Sequence, residues 1–288
     1  MYRQKTRRLN SHVAFRFSVA TLLENLADNL NMPLQTEAEE ASSPPIPEAD
    51  REEAREIQQS LLPEGPLKGA AFEVAYRFFP FAGVGGDFAD FFMLPNGLLG
   101  LYLGDVVGKG LPAALYAALV MGMLRGIHKT GQDTASSLSL LNKRMLVRPV
   151  TGRYCATLYA LFDPSSGVLT FSNAGLPHPI LVSESGCSML GAGGLPSGLF
   201  PGTTYDSYRV ELAAGDAVLF ATDGLHEIRD DRNNDFSWGK LGQTWGRCRC
   251  KSADGSLDFL FEEAVKFTAG AKLPHDDITA VVLKVSPK

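Results

Sequence analysis

The sequence predicts an α+β protein, a sandwich with helices packed outside. After Pro63 the chain breaks into short apolar runs punctuated by glycine, the signature of strands and turns. One stretch in the middle, Leu111 to His128, is apolar almost all round and reads as a buried helix. Strands therefore flank a central helical block without strict βα alternation, which is the pattern of segregated layers.

The elements follow in chain order. From Val13 to Leu30 apolar residues recur at helical spacing (Val13, Phe17, Ala20, Leu23, Ala27, Leu30), with Ser11 as N-cap and Pro33 as terminator. Residues 1–35 are thus expected to carry one amphipathic helix, too small to be a domain. Its stripe needs a cover, and a homodimer through the N-terminal helices is one expected use. Residues 36–49 are acidic and proline-rich and read as a linker. The remaining domain, 50–288, opens with a helix over 50–62, where Asp50 and Glu53 have capping-box spacing and Ala54, Ile57 and Leu61 share a face before Pro63. Strands are expected over 72–79, 89–94, 98–103, 154–162, 168–173, 179–182, 217–222 and 278–285, and further helices over 134–146 and 256–267.

Composition excludes several classes. The chain has 27 Lys+Arg against 32 Asp+Glu, a formal charge of −5, which offers no electrostatic drive toward nucleic acid. With 45% hydrophobic and 20% charged residues in 288, it is neither disordered nor collagen-like as a whole. Four cysteines without a CxxC pair suit a reducing, cytoplasmic setting and no disulfide scaffold; Cys248 and Cys250 read as ordinary thiols. No membrane span is expected, and Arg16 interrupts the only signal-like apolar run.

The chemistry concentrates in acidic residues set beside glycine at strand ends: Gly85-Gly86-Asp87, Gly104-Asp105-Val106, Thr222-Asp223-Gly224 and His275-Asp276-Asp277. A single aspartate beside a glycine is usually a turn. Four acidic segments, three of them with an adjacent glycine and each joined to an apolar strand, bring carboxylates to a sheet rim, where they repel one another unless a cation lies between. Oxygen donors without paired His or Cys suit magnesium, manganese or calcium better than zinc.

Together these segments resemble the PPM-type metal-dependent protein serine/threonine phosphatases, in particular the bacterial SpoIIE/RsbU branch. The matching stretches are REIQQSLLP from Arg55, VGGDFADFF from Val84, GDVVGKGLPAAL from Gly104, YCATLYALFD from Tyr154, SNAGLPHPIL from Ser172, GLPSGLFPG from Gly194, FATDGLHEIRD from Phe220 and DDITAVVLKV from Asp276. The resemblance implies an α-β-β-α sandwich, two antiparallel sheets face to face with helices on both outer sides, and a binuclear Mn²⁺ or Mg²⁺ site held by Asp87, Asp105, the Val106 carbonyl, Asp223 and Asp276. Asp277 stands where distant relatives carry Asn and is expected beside the ligands. It further implies direct attack of activated water on a phosphoserine or phosphothreonine, without a phosphoenzyme. The implied partner is a phosphorylated regulatory protein, a STAS-type anti-sigma-factor antagonist, and helices 50–62 and 111–128 are expected to form a coupled switch.

Three residues stay open at this level. His178 is displaced from the histidine of the relatives' Asn-Ala-Gly-His motif, His226 lies near the third carboxylate, and Lys109 sits at a helix start. Gly108-Lys109-Gly110 lacks the spacing and hydroxyl of a P-loop, and Gly194-Leu195-Pro196-Ser197-Gly198 is not a serine-hydrolase elbow. A non-catalytic metal-binding signalling scaffold and a phosphomonoesterase for small substrates are the alternatives.

Overall fold

Strand β11 (Ile278–Val285) is buried at every position, which requires a cover on both faces of its sheet. In the computed structural model, which describes residues 46–129, 132–268 and 276–286, that requirement is met by two antiparallel sheets and two helical layers. The first sheet runs β1 (Leu67–Lys68), β2 (Phe72–Phe79), β11, β10 (Ala217–Ala221), β7 (Ile180–Ser183), β8 (Gly186–Met189). The second runs β3 (Phe88–Met93), β4 (Leu99–Val106), β5 (Cys155–Asp163), β6 (Val168–Ala174), β9 (Tyr208–Glu211).

Side-chain alternation assigns the layers. Val281 and Leu283 point into the central core with Val74, Phe220, Leu101, Leu103, Leu158 and Phe171, whereas Ala280 and Val282 point outward with Leu219. The outward residues are covered by α4 (Trp238–Gly246) and α5 (Ala253–Thr268) through Leu241, Trp245, Leu257 and Leu260. On the other side, Phe88, Tyr102 and Tyr159 of the second sheet receive α2 (Gly110–His128) and α3 (Thr134–Met145) through Val120, Leu124, Leu138 and Leu141. The predicted sandwich is therefore the observed one. Buried Trp245 also donates its Nε1–H to the Ile180 carbonyl at 3.0 Å, which ties α4 to β7.

The leading helix α1 spans Glu48–Leu61. Its N-cap is Pro47, with no side-chain cap, and Asp50 lies inside the first turn, so the expected capping box does not form. The face it buries also differs from the expectation: Gln58 is buried and Ala54 and Leu61 are half-buried, while Ile57 is 56% exposed. The polar Gln58 masked the true stripe. Arg125 of α2 holds the end of α1 through the Leu61 carbonyl at 2.5 Å and the Asp90 carboxylate at 3.0 Å, and Tyr102 donates to the same Asp90 oxygen.

Sequence periodicity misses β1, β8, β9 and α4. The strands are two to four residues long and edge-placed, with β8 wholly exposed, and α4 carries three glycines. Pro112 lies in the first turn of α2, which starts at Gly110. Among the described residues α2 is long and apolar enough, by length and composition, to cross a membrane, a test that a buried core helix also passes. Here its apolar face packs on the second sheet. The helix expected in residues 1–35 and most of the 36–49 linker lie outside the described residues.

The packing gives a direct check by urea unfolding. Trp245→Ala is expected to cost about 3–5 kcal/mol, and Ile57→Ala within about 0.5 kcal/mol. A cost above about 1 kcal/mol for Ile57→Ala would contradict the observed face of α1.

Candidate functional site

The antiparallel registers bring the acidic segments to one end of the sandwich. Asp105 is the penultimate residue of β4, and Asp87 directly precedes β3, where Phe88 pairs with Gly104. Asp223 opens a short 3₁₀ turn just beyond β10. Asp276 and Asp277 immediately precede β11, whose Ala280 pairs with Ala221 and whose Ile278 pairs with Phe79. Strand pairing gathers Asp87 with Asp105 in the second sheet and Asp223 with Asp276 and Asp277 in the first, and the two groups are joined across the sheets by Thr222 on Asp87 and by the Gly86 N–H on Asp277.

Close approach here depends on missing side chains. A Cβ on Gly86 would lie 2.6 Å from the Val106 carbonyl oxygen, and one on Gly224 would lie 2.0 Å from the Asp277 carbonyl oxygen. The Val106 N–H donates to the Gly86 carbonyl at 3.2 Å, joining the two loops.

Each carboxylate has a distinct environment. Asp277, 5% exposed, accepts the Phe81 N–H at 2.8 Å on one oxygen and the Gly86 N–H at 2.7 Å on the other. It shapes the 81–86 loop with both oxygens engaged. Gln58 completes the loop's anchoring: its amide donates to the Gly85 carbonyl at 2.7 Å and accepts the Gly85 N–H at 3.1 Å. Asp87, 1% exposed, accepts the Thr222 hydroxyl at 2.7 Å, and Thr222 accepts the Thr279 N–H at 2.9 Å. Asp276 accepts the Asp277 N–H at 2.9 Å and pairs with Lys109 Nζ at 3.0 Å.

The electrostatics are those of negative charge held out of water. Burial raises the Asp105 carboxyl to about 8, helped by Asp223, Asp276 and Asp277 and opposed by Lys109. Burial, then Asp105 and Asp277, push Asp87 well above the usual carboxylate range against the Thr222 hydrogen bond. Asp223 is raised by burial and then by Asp276, and Glu227 by burial and then by Asp223 and Asp276. Among the described residues no three His, Cys, Asp or Glu side chains already close around one point as a ligand group.

The open residues divide. Lys109 joins the cluster through Asp276. His226 stacks on Trp238 at 4.4 Å, and burial lowers it to about 4, so its ring is neutral at pH 7 and a poor acid. His178 Nδ1 lies 3.4 Å from the Leu190 carbonyl. Cys248 is buried and Cys250 exposed, both free. A surface groove of about 350 Å³ is lined by Asp133, Asp163, Thr170 and Arg209 and includes none of the rim carboxylates. Sequence reasoning missed Gln58, Thr222 and Glu227 as parts of the site. Gln58 and Thr222 stand inside matched stretches, REIQQSLLP and FATDGLHEIRD, but only the fold reveals their partners.

Comparison with known proteins agrees with this architecture. The family described as Stage II sporulation protein E (SpoIIE) matches residues 95–286. Protein IcfG of Synechocystis is 26% identical over 260 residues, covering 81% of this chain and 41% of IcfG. Phosphoserine phosphatase RsbU of Bacillus subtilis is 24% identical over 233 residues, covering 80% of this chain and 68% of RsbU. This chain therefore spans well under half of IcfG and about two thirds of RsbU. The fold is shared with the SiaA-PP2C domain of Pseudomonas aeruginosa, at TM-score 0.72 and 17% identity over 82% of this chain and 96% of that one. It is also shared with the SpoIIE PP2C phosphatase domain of Bacillus subtilis, at TM-score 0.67 and 19% identity over 76% and 64%. With two thirds of its residues matched and the sandwich in place, the chain belongs to the SpoIIE family, a branch of the PPM-type protein serine/threonine phosphatases.

Proposed function

We propose that this chain is a metal-dependent phosphoserine/phosphothreonine phosphatase whose substrate is a phosphorylated regulatory protein, a STAS-type anti-sigma-factor antagonist. The observation that carries the reading is the acidic rim to which Asp276 also belongs, where burial and neighbouring carboxylates hold Asp87, Asp105 and Asp223 above their ordinary range. Such a donor set fits hard divalent cations, which relieve both terms at once. Asp87, Asp105, the Val106 carbonyl, Asp223 and Asp276 would hold Mn²⁺ or Mg²⁺, in two sites by family resemblance, and Asp277 would position the 81–86 loop beside them. Ions bound there screen a phosphate dianion and lower the pKa of water. The protein's own part is to fix the donors at the rim, with Lys109 partly balancing their charge. The RsbU relative, a phosphoserine phosphatase, supports the substrate class.

Gln58 supports a regulatory reading of α1. It is the side chain through which this helix reaches the loop that carries Gly85 and Gly86 next to Asp87. A chain starting at Pro63 leaves the buried Gly85 N–H and carbonyl without that partner. It is expected to lose most of its turnover or change its oligomeric state; unchanged turnover and sedimentation would exclude coupling through α1.

Two further outcomes test the site. With Mn²⁺, phosphate release from a serine-phosphorylated protein should fall by more than about 100-fold in Asp105→Asn and Asp223→Asn, beyond the effect typical of residues behind a metal ligand, and should vanish in EDTA. Folded protein without turnover under any metal would favour the scaffold reading. In EDTA, Asp105 binds a proton in the folded state up to about pH 8, against 3.8 for its ordinary value. The folded state then holds more protons than the unfolded one, so stability falls as pH rises through this window. The melting temperature in EDTA should therefore decrease from pH 5 to pH 8, and Mn²⁺ should raise it most at pH 8. An EDTA profile that rises over the same range would contradict the charge assignment.

A further inference from the structure

Two large aromatic side chains stand exposed beside the carboxylate rim. Phe79, 47% exposed, ends β2 and pairs with Ile278, two residues from Asp276. Phe81, 50% exposed, follows two residues later. Neither exposure results from a slack backbone. Phe79 sits in the β2–β11 ladder with its ring 4.9 Å from that of Phe261, and the Phe81 N–H is fixed by Asp277 Oδ1. The patch is also continuous with the site: Lys109 Nζ lies 3.0 Å from Asp276 Oδ2 and 5.5 Å from the centre of the Phe81 ring. One cation therefore touches both the carboxylate rim and the aromatic surface.

Single exposed apolar residues are common and carry no message. A pair of aromatics held rigidly at the edge of an acidic site is different, because aromatic anchors dominate the energetics of protein interfaces and rigid ones lose little entropy on contact. We propose that Phe79 and Phe81 form a docking shelf for the phosphoprotein substrate, engaging an apolar patch that flanks the phosphorylated residue. The proposal rests on the phosphatase reading above and deepens it. Phe81 is one lysine away from Asp276, so a protein whose phosphorylated side chain reaches that carboxylate has neighbouring surface within reach of the ring, whereas a small ester has none. A second copy of this chain seated on the shelf would stand at the entrance to the rim, so the substrate is the occupant that both features serve. The shelf would give the enzyme discrimination between protein and small phosphomonoesters without any change in the chemical groups.

The test compares two probes with the full chain in saturating Mn²⁺: serine-phosphorylated β-casein and p-nitrophenyl phosphate. The ratio of kcat/KM on casein to kcat/KM on the small ester is expected to fall about tenfold in Phe81→Ala, through KM on casein, and to recover in part in Phe81→Leu, which keeps an apolar contact. Phe79→Ala should lower the ratio in the same direction. An unchanged ratio in Phe81→Ala overturns the shelf, as does wild-type protein that turns over the small ester and not casein. Self-association of the wild type that is lost in Phe81→Ala, with an unchanged ratio, assigns the patch to a second copy instead. Wild-type protein inactive on both probes overturns the phosphatase reading itself, and the shelf with it.

Discussion

Repulsion among carboxylates concentrated at one end of the sandwich is the constraint around which the structure is arranged. Asp87, Asp105, Asp223, Asp276 and Asp277 come from four chain segments, and most of them are withdrawn from water. Left to themselves such groups would push the loops apart. They are held by the strand ladders behind them, by the Thr222 hydroxyl on Asp87, by two backbone N–H groups on Asp277 and by Lys109 on Asp276. The double burial of β11 matters for the same reason, since its N-terminal end carries two of the five acids and its register with β10 sets Asp223 beside them.

The same arrangement explains why α1, outside both sheets, belongs to the site. Its buried Gln58 pairs with both polar groups of the Gly85 backbone, and its C-terminal carbonyl at Leu61 is held by Arg125 of α2. Arg125 is in turn shared with Asp90 of β3, three residues beyond Asp87. The proposed coupling would use these contacts: a displaced α1 would act on the 81–86 loop through Gln58 and on the β3–α2 contact through Arg125.

Much of the layer structure was legible in the sequence, because long strands such as Phe72–Phe79 and Ile278–Val285 and the apolar α2 declare themselves by pattern. The acidic rim was legible as a set of motifs, since aspartates at the ends of apolar runs, three of the four with a glycine beside them, recur too often to be turn chemistry alone. What escaped has specific causes. The inward face of α1 turns on a glutamine, which periodicity counts as solvent-facing, so Ile57 was placed inside when it lies outside. Short edge strands such as Gly186–Met189 bury nothing and leave no signal, and α4 hides behind its glycines. Partnerships such as Thr222 with Asp87 join residues 135 positions apart, and no local rule reaches that far. The neutrality of His226 depends on burial, which spacing does not encode.

Titration of the full chain with Mn²⁺ in a calorimeter at pH 8, wild type beside Asp105→Asn, tests the central claim most directly. Saturable binding of two ions by the wild type, with proton release, and its loss in the variant is the result this account predicts. Equal binding by both proteins, or none by a folded wild type, would contradict it.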